Sequence, residues 1–186
     1  MNVRTLLGTV LEELRGTLSQ AEEERVAALL DRITAARRLF LAGTGRSGFM
    51  VRSFAVRLVH LGFTAYVAGE TVTPNIQADD LLILGSGSGE TASLRAMAEK
   101  ARRVGAPIAL ITASPQSSIG RLADVVVTLP APTPKARPAQ TASSIQPMGS
   151  LFEQSLLLLL DIAVMLLMER GGIGAEAMFA RHANLE

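Results

Sequence analysis

The stretch LLILGSGSGETASLRAM, residues 81–97, decides the fold. Leu81, Leu82, Ile83 and Leu84 form a short apolar run of the kind that fills a buried strand. The chain then breaks into GSGSGET and resumes with Leu94 and Met97 on one helical face. Gly85, Gly87 and Gly89 let the backbone come close to a ligand. Ser86, Ser88 and Thr91 bring hydroxyls to the mouth of the helix, where unpaired N–H groups and the positive dipole end attract an anion. Together these make a phosphate cradle, although an ordinary capped strand–helix turn uses the same residue types.

A similar unit lies upstream: an apolar run at 39–42, then GTGRSG at 43–48, then a helix pattern over 49–61. Residues 64–68, 107–112 and 125–129 read as further strands, the helix after GSGSGET runs to Val104, and a short helix is expected over 118–122. Strands alternating with helices predict a three-layer αβα sandwich around a five-stranded parallel sheet. In the flavodoxin-like order 2-1-3-4-5, the turns after strands one and three flank the switch point where ligands bind in open α/β sheets. Both glycine turns then meet in one crevice, which suits a small phosphorylated ligand.

Before the first strand, Leu6, Leu7, Val10, Leu11, Leu14 and Leu18 stripe residues 3–18 as an amphipathic helix. Ser19 reads as the start of a second helix, with Glu22, Glu23 and Glu24 in its first turn and Val26, Leu29, Leu30 and Ile33 on its apolar face. The resulting helical hairpin is expected to cover one face of the domain or to join subunits. After the fifth strand, residues 130–147 hold five of the eight prolines and show no periodicity, so they form a long loop. A long helix follows over about 149–170 and ends at Gly171, Gly172 and Gly174. Its apolar part, SLLLLLDIAVMLLM at 155–168, carries Asp161 and falls short of the roughly 20 residues that span a bilayer, so it reads as a helix buried all round, against the sheet or a partner. The expected organisation is one domain over 1–186: hairpin 1–37, αβ core 38–129, Pro-rich loop 130–148, C-terminal helices and tail 149–186.

With 48% hydrophobic residues and a mean hydropathy of +0.32, the chain has either a large core or an apolar surface for another subunit. A net charge of +1, one Tyr and no Trp argue against nucleic acid as a partner. The absence of Cys removes disulfides, thiolate metal sites and Cys nucleophiles, and fits a cytoplasmic setting. The N-terminus shows no apolar signal core, and no membrane partner is expected.

GTGRSG also matches the dinucleotide fingerprint G-x-G-x-x-G, with Glu70 near the place of a ribose-binding acid. Against a dinucleotide stand the short chain, the polar Arg46 and Ser47 within the loop, and the second turn at 86–91, which that reading leaves unexplained.

GTGRSG followed by GSGSGET resembles the sugar isomerase (SIS) domain, which binds phosphosugars. GETVTP at 69–74, SIQPMGSLFEQ at 144–154 and the terminal RHANLE at 181–186 resemble, within that group, the 6-phospho-3-hexuloisomerase family of the ribulose monophosphate pathway. The resemblance implies interconversion of 3-hexulose 6-phosphate and fructose 6-phosphate, no metal and no cofactor. It also implies a functional link to a hexulose-phosphate synthase, and a homo-oligomer, tetramer or dimer, with sites near subunit interfaces.

Moving a carbonyl between neighbouring carbons through an enediol needs a base and a group that manages the oxygen protons. Glu153 lies in the first turn of the apolar helix. By position it either serves as that base or merely complements the helix dipole; the match to GSLFEQ selects the base. His182 reads by position as a solvated tail residue, and the resemblance makes it the acid or polariser, reaching a neighbouring subunit's crevice. His60, at a helix end, reads as structural, its imidazole suited to the negative C-terminus. Gly45, Arg46, Ser47, Ser86, Ser88 and Thr91 are the candidate phosphate and sugar ligands, with Arg46 either pairing with the ligand or riding the crevice rim. Thr73 and Asn75 are weaker candidates at the crevice edge. Gln146 either reaches the sugar or braces the backbone. Two readings compete with the isomerase: a phosphosugar-sensing module without turnover, and an isomerase of another sugar phosphate.

Overall fold

Five apolar runs form the sheet in the computed structural model, which describes residues 2–133 and 143–185. They are β1 (Leu39–Gly43), β2 (Ala65–Val67), β3 (Leu81–Gly85), β4 (Ile108–Thr112) and β5 (Val125–Thr128). All pairings are parallel and the order is β2-β1-β3-β4-β5, as expected from the two glycine turns. The register sets Gly43 of β1 directly opposite Gly85 of β3, so both turns leave the sheet side by side at its switch point.

Side chains alternate across the sheet with period two. Leu39, Leu41, Leu81, Ile83, Ala109 and Ile111 enter one apolar cluster. Phe40, Leu82, Leu84, Ile108 and Leu110 enter another. The helices are α1 (Val3–Leu18), α2 (Glu23–Ala35), α3 (Gly45–Leu61), α4 (Ala92–Val104), α5 (Ser150–Gly171) and α6 (Ala175–Phe179). Side chains of α1, α2, α3 and α5 share the first cluster, whereas α4 closes the second with Leu94, Ala98 and Ala101. Leu58, Leu156 and Leu160 are at most 1% exposed, and each contributes about 1.5–3 kcal/mol by leaving water. The three layers are therefore present but uneven.

Three expectations are corrected. The second helix starts at Glu23, not Ser19; Ser19 instead ends α1, its N–H donating to the Arg15 carbonyl. Residues 118–122 form successive turns in place of a helix, because the Ile119 N–H goes to the Gly89 carbonyl while buried Ile119 pins the segment to the α4 side. The third helix begins four residues early, so Gly45, Arg46 and Ser47 belong to its first turn. Within the single chain, α5 is buried on one side, against the sheet layer, and burial on the other side is left to a partner. The 22 residues of α5 are long and apolar enough to cross a membrane by length and composition, and about half of its apolar stretch is buried inside the chain; Leu158, Ile162 and Met165 face outward.

Candidate active site

Three helices begin at one crevice. Their N-caps, Thr44 of α3, Thr91 of α4 and Gly149 of α5, all line it, and none caps its helix through a side chain. Each N-terminus presents unpaired N–H groups and a positive dipole end, so three fields add at one place and favour an anion. The crevice measures about 240 Å³. That is below the roughly 300–1,000 Å³ of drug-sized ligand sites and suits a small polar molecule better than a dinucleotide. Glu70, the acid a dinucleotide would need, instead pairs with Arg52 at 3.3 Å.

Ser47, Ser86, Ser88 and Thr91 line the crevice together with Glu153, as the two-turn argument requires. Their hydroxyls are not equivalent. Ser86 is buried, and its Oγ accepts the Gly89 N–H at 3.2 Å, which tightens the turn. Ser88 Oγ accepts the Glu90 N–H at 3.3 Å. Gly89 makes the turn at φ +62°, a region that glycine occupies without strain. Glu90 points away from the crevice. A hydrogen bond from Ser118, aided by Arg121 and Arg95, holds its carboxyl below the usual range against some burial.

Glu153 sits on the first turn of α5, and its side chain is 15% exposed. Its Oε2 accepts a hydrogen bond from Nε of Arg46 at 2.5 Å. Arg46 therefore spans the gap between α3 and α5, an arrangement that sequence spacing cannot show. Gly45 enters α3 at φ +57°. Thr133, Met148 and Phe152 complete the wall. Thr133 and Met148 lie on the Pro-rich segment, where periodicity carries no signal, and Phe152 is a buried residue of the first turn of α5.

Other candidates lie elsewhere. Thr73 donates to the Val67 carbonyl at 2.7 Å and lines a separate hollow beside Phe40 and Met97. The Asn75 carbonyl accepts from Arg38 at 3.1 Å. Gln146 is outside the crevice lining, and its amide bridges two other side chains instead of backbone, donating to Glu13 at 3.0 Å and accepting from Gln154 at 2.5 Å. Residues 134–142 of the Pro-rich loop lie outside the described residues.

His182 lies with its ring centroid 5.2 Å from that of His60, at the C-terminal end of α3. The crevice is at the N-terminal end, and the 17 residues of α3 rise about 25 Å between them. Within one chain, His182 and Glu153 do not meet. Arg181 explains part of the terminal motif: it donates to the His60 carbonyl at 3.2 Å and packs over Gly62, which ends α3 at φ +96°. His60 itself is 5% exposed, and burial, Arg57 and His182 push its pKa below the ordinary imidazole value.

Two glycine turns paired across a parallel switch point, with three helix N-termini around a hydroxyl-lined crevice, define a phosphosugar-type α/β site, and the chain belongs to the SIS domain family, whose model matches residues 32–158. Its full-length relatives narrow the assignment to the 3-hexulose-6-phosphate isomerases. The chain is 44% identical to the 3-hexulose-6-phosphate isomerase of Bacillus subtilis, over all of both chains. It is 42% identical to that of Mycobacterium gastri, over 97% of this chain and 89% of the relative. A solved Methanococcus jannaschii structure, from which the same molecular function was inferred, matches with a TM-score of 0.84 and 34% identity, covering 98% and 99% of the two chains.

Proposed function

We propose that this protein interconverts 3-hexulose 6-phosphate and fructose 6-phosphate through an enediol, with Glu153 as the base. The observation that carries the reading is the placement of Glu153 beside Ser47, Ser86, Ser88 and Thr91 in the crevice where α3, α4 and α5 begin. The phosphate rests on the hydroxyls and N-terminal N–H groups of α3 and α4. Glu153 takes the proton from the carbon that becomes the carbonyl carbon and returns it to the neighbour, while the oxygens exchange protons through a second group. Arg46, 60% exposed and paired with Glu153, is free to swing toward the arriving phosphate; that releases the carboxylate and leaves the cation close to the enediolate.

His182 serves as the second group only if another copy of the chain supplies it, because its own crevice is a helix length away. An assembly has surface to form on. Val3, Leu7 and Leu11 on α1, Phe49, Val56 and Val59 on α3, and Leu158, Ile162 and Met165 on α5 are exposed at helical spacing. We read these stripes as contacts between copies in a soluble, cytoplasmic dimer or tetramer. A hexulose-phosphate synthase reaction supplies the substrate.

The deciding experiment is a coupled assay in which a synthase generates 3-hexulose 6-phosphate in place and fructose 6-phosphate formation is followed. Turnover by the wild type supports the reading. Folded protein that binds phosphosugars without turnover overturns it in favour of a sensing module. Sedimentation at a multiple of 19.7 kDa is expected, and a monomer that retains full activity overturns the role given to His182.

A further inference from the structure

Glu13, in the middle of α1 and outside the crevice, carries an unusual load. Its Oε1 accepts the Ile145 N–H at 2.8 Å, and its Oε2 accepts the Ser144 hydroxyl at 2.7 Å and the Gln146 amide at 3.0 Å. Ser144 Oγ in turn accepts the Gln146 N–H at 3.0 Å, and the Gln146 Oε1 accepts from Gln154 on α5 at 2.5 Å. One side chain thus engages three consecutive residues of a segment more than 130 positions away. Burial opposes its charged form, yet the bonds from Gln146, Ile145 and Ser144 prevail and hold its pKa below the usual carboxylate value.

Glu13 is itself held. Leu14 beside it is buried, and one turn on Thr17 is 3% exposed and donates to the Pro130 carbonyl at 3.3 Å. The tied segment leads straight into the crevice wall. Met148 adopts φ +58°, in the left-handed region that a residue with a Cβ pays strain to occupy, and it lines the crevice with Gly149. The Glu153 N–H then bonds the Gly149 carbonyl at 3.0 Å. A strained backbone stays put only where its surroundings over-determine it. Residues 144–146, which lead into Met148, are fixed by a carboxylate on α1.

We propose that Glu13 is a positioning residue: by fixing residues 144–146 it holds Met148 and Gly149 in place and so sets where the first turn of α5 presents Glu153. The inference rests on the isomerase reading for its effect on turnover, though not for its effect on the loop.

The test compares wild type, Glu13→Ala and Glu13→Gln as full chains. Two readouts are taken: coupled-assay kinetics, and hydrogen–deuterium exchange of residues 144–153. Glu13→Ala leaves the Ile145 N–H and both side-chain donors without their acceptor. It is expected to melt cooperatively, to exchange faster over 144–153, and to lose about 10- to 100-fold in kcat, the scale of a roughly 1 Å misplacement. Its KM should change less than about threefold, because the phosphate cradle is untouched. Glu13→Gln can rebuild the pattern: its amide donates to Gln146 Oε1 once the Gln146 and Gln154 amides turn over. It is expected to recover most of the turnover. Wild-type kinetics and exchange in folded Glu13→Ala overturn the proposal. So does equal loss in both variants, or lost turnover without faster exchange. Wild type without turnover sinks the isomerase reading, and the exchange arm still decides whether Glu13 holds the segment.

Discussion

Arg46 and Glu153 stand 107 residues apart in the chain and meet at 2.5 Å, each from the first turn of its own helix. Glu153 lines the crevice opposite the hydroxyls, whereas Arg46 and Gly45 are outside its lining, and Arg46 reaches the site only through the carboxylate of Glu153. Replacing Glu153 with Gln keeps the size of the side chain and removes the proton acceptor. Turnover is expected to fall by about 10²- to 10⁴-fold, the usual worth of a general base. Fructose 6-phosphate binding, followed calorimetrically, should survive.

Arg46→Met separates the two roles of the cation. The Arg46 side chain is 60% exposed, so losing the ion pair should cost only about 0.2–1 kcal/mol in urea unfolding. The activity loss should be larger than that and concentrated in KM if Arg46 receives the phosphate. An unchanged kcat/KM would place it on the rim.

Gly48→Ala tests the closeness of α3 to β1. A Cβ at Gly48 would lie 2.7 Å from the Gly43 carbonyl oxygen, a backbone atom that cannot swing aside. Overpacking of this kind typically costs about 1–3 kcal/mol. Because the displaced element carries Arg46 and Ser47, activity should drop further than the urea midpoint does.

At the far end of the sheet, Arg38 grips Asp80 with two bonds, at 2.9 and 2.7 Å, and Asp80 is fully buried. Burial opposes the charge, but Arg38 and the Gln77 N–H hold the Asp80 carboxyl below its ordinary value of 3.8. A depressed carboxyl stabilises the fold fully above the unfolded value, and that contribution fades as pH falls from there through the folded one. Asp80→Asn removes the buried charge that Arg38 grips and leaves the guanidinium the Asn75 carbonyl, so the urea midpoint should fall. Melting curves taken downward from pH 5 should show a flatter acid limb in the variant than in the wild type.

His60 gives a second pH window with the same sign. Its pKa lies below the ordinary 6.5, so the unfolded chain binds the proton first and stability falls as pH drops below 6.5. In an NMR titration, the His60 ring should change below that value. His60→Phe should reduce the slope of stability between that pH and the acid limb set by Asp80.

Much of the architecture was legible because strands 1, 3 and 4 are continuous apolar runs and each of the first two ends at glycine. That placed Gly43 and Gly85 together before any coordinate did, and with them Ser47, Ser86, Ser88 and Thr91. What stayed hidden depends on contacts far apart in sequence. The turns at 118–122 replace a helix because Gly89, 30 residues upstream, takes the Ile119 N–H. Gln146 braces a loop because Glu13 is within reach, and no local pattern announces that pairing. The outward stripe of α5 was masked by its uniform composition: Leu158 and Leu159 read alike, yet one is 39% exposed and the other 4%. The separation of His182 from its own crevice follows from the direction in which α3 runs, which a motif does not encode.

The position of α5 in the chain sets a clock on biosynthesis. All five strands leave the ribosome before it, and the side of the sheet bearing Leu41, Ile83 and Ile111 stays without the α5 side chains that complete its core. Leu156 and Leu160 reach that surface only after every strand has been made. The nascent chain therefore carries an unsealed apolar sheet until α5 has emerged, and for that interval it is the kind of client that chaperones hold.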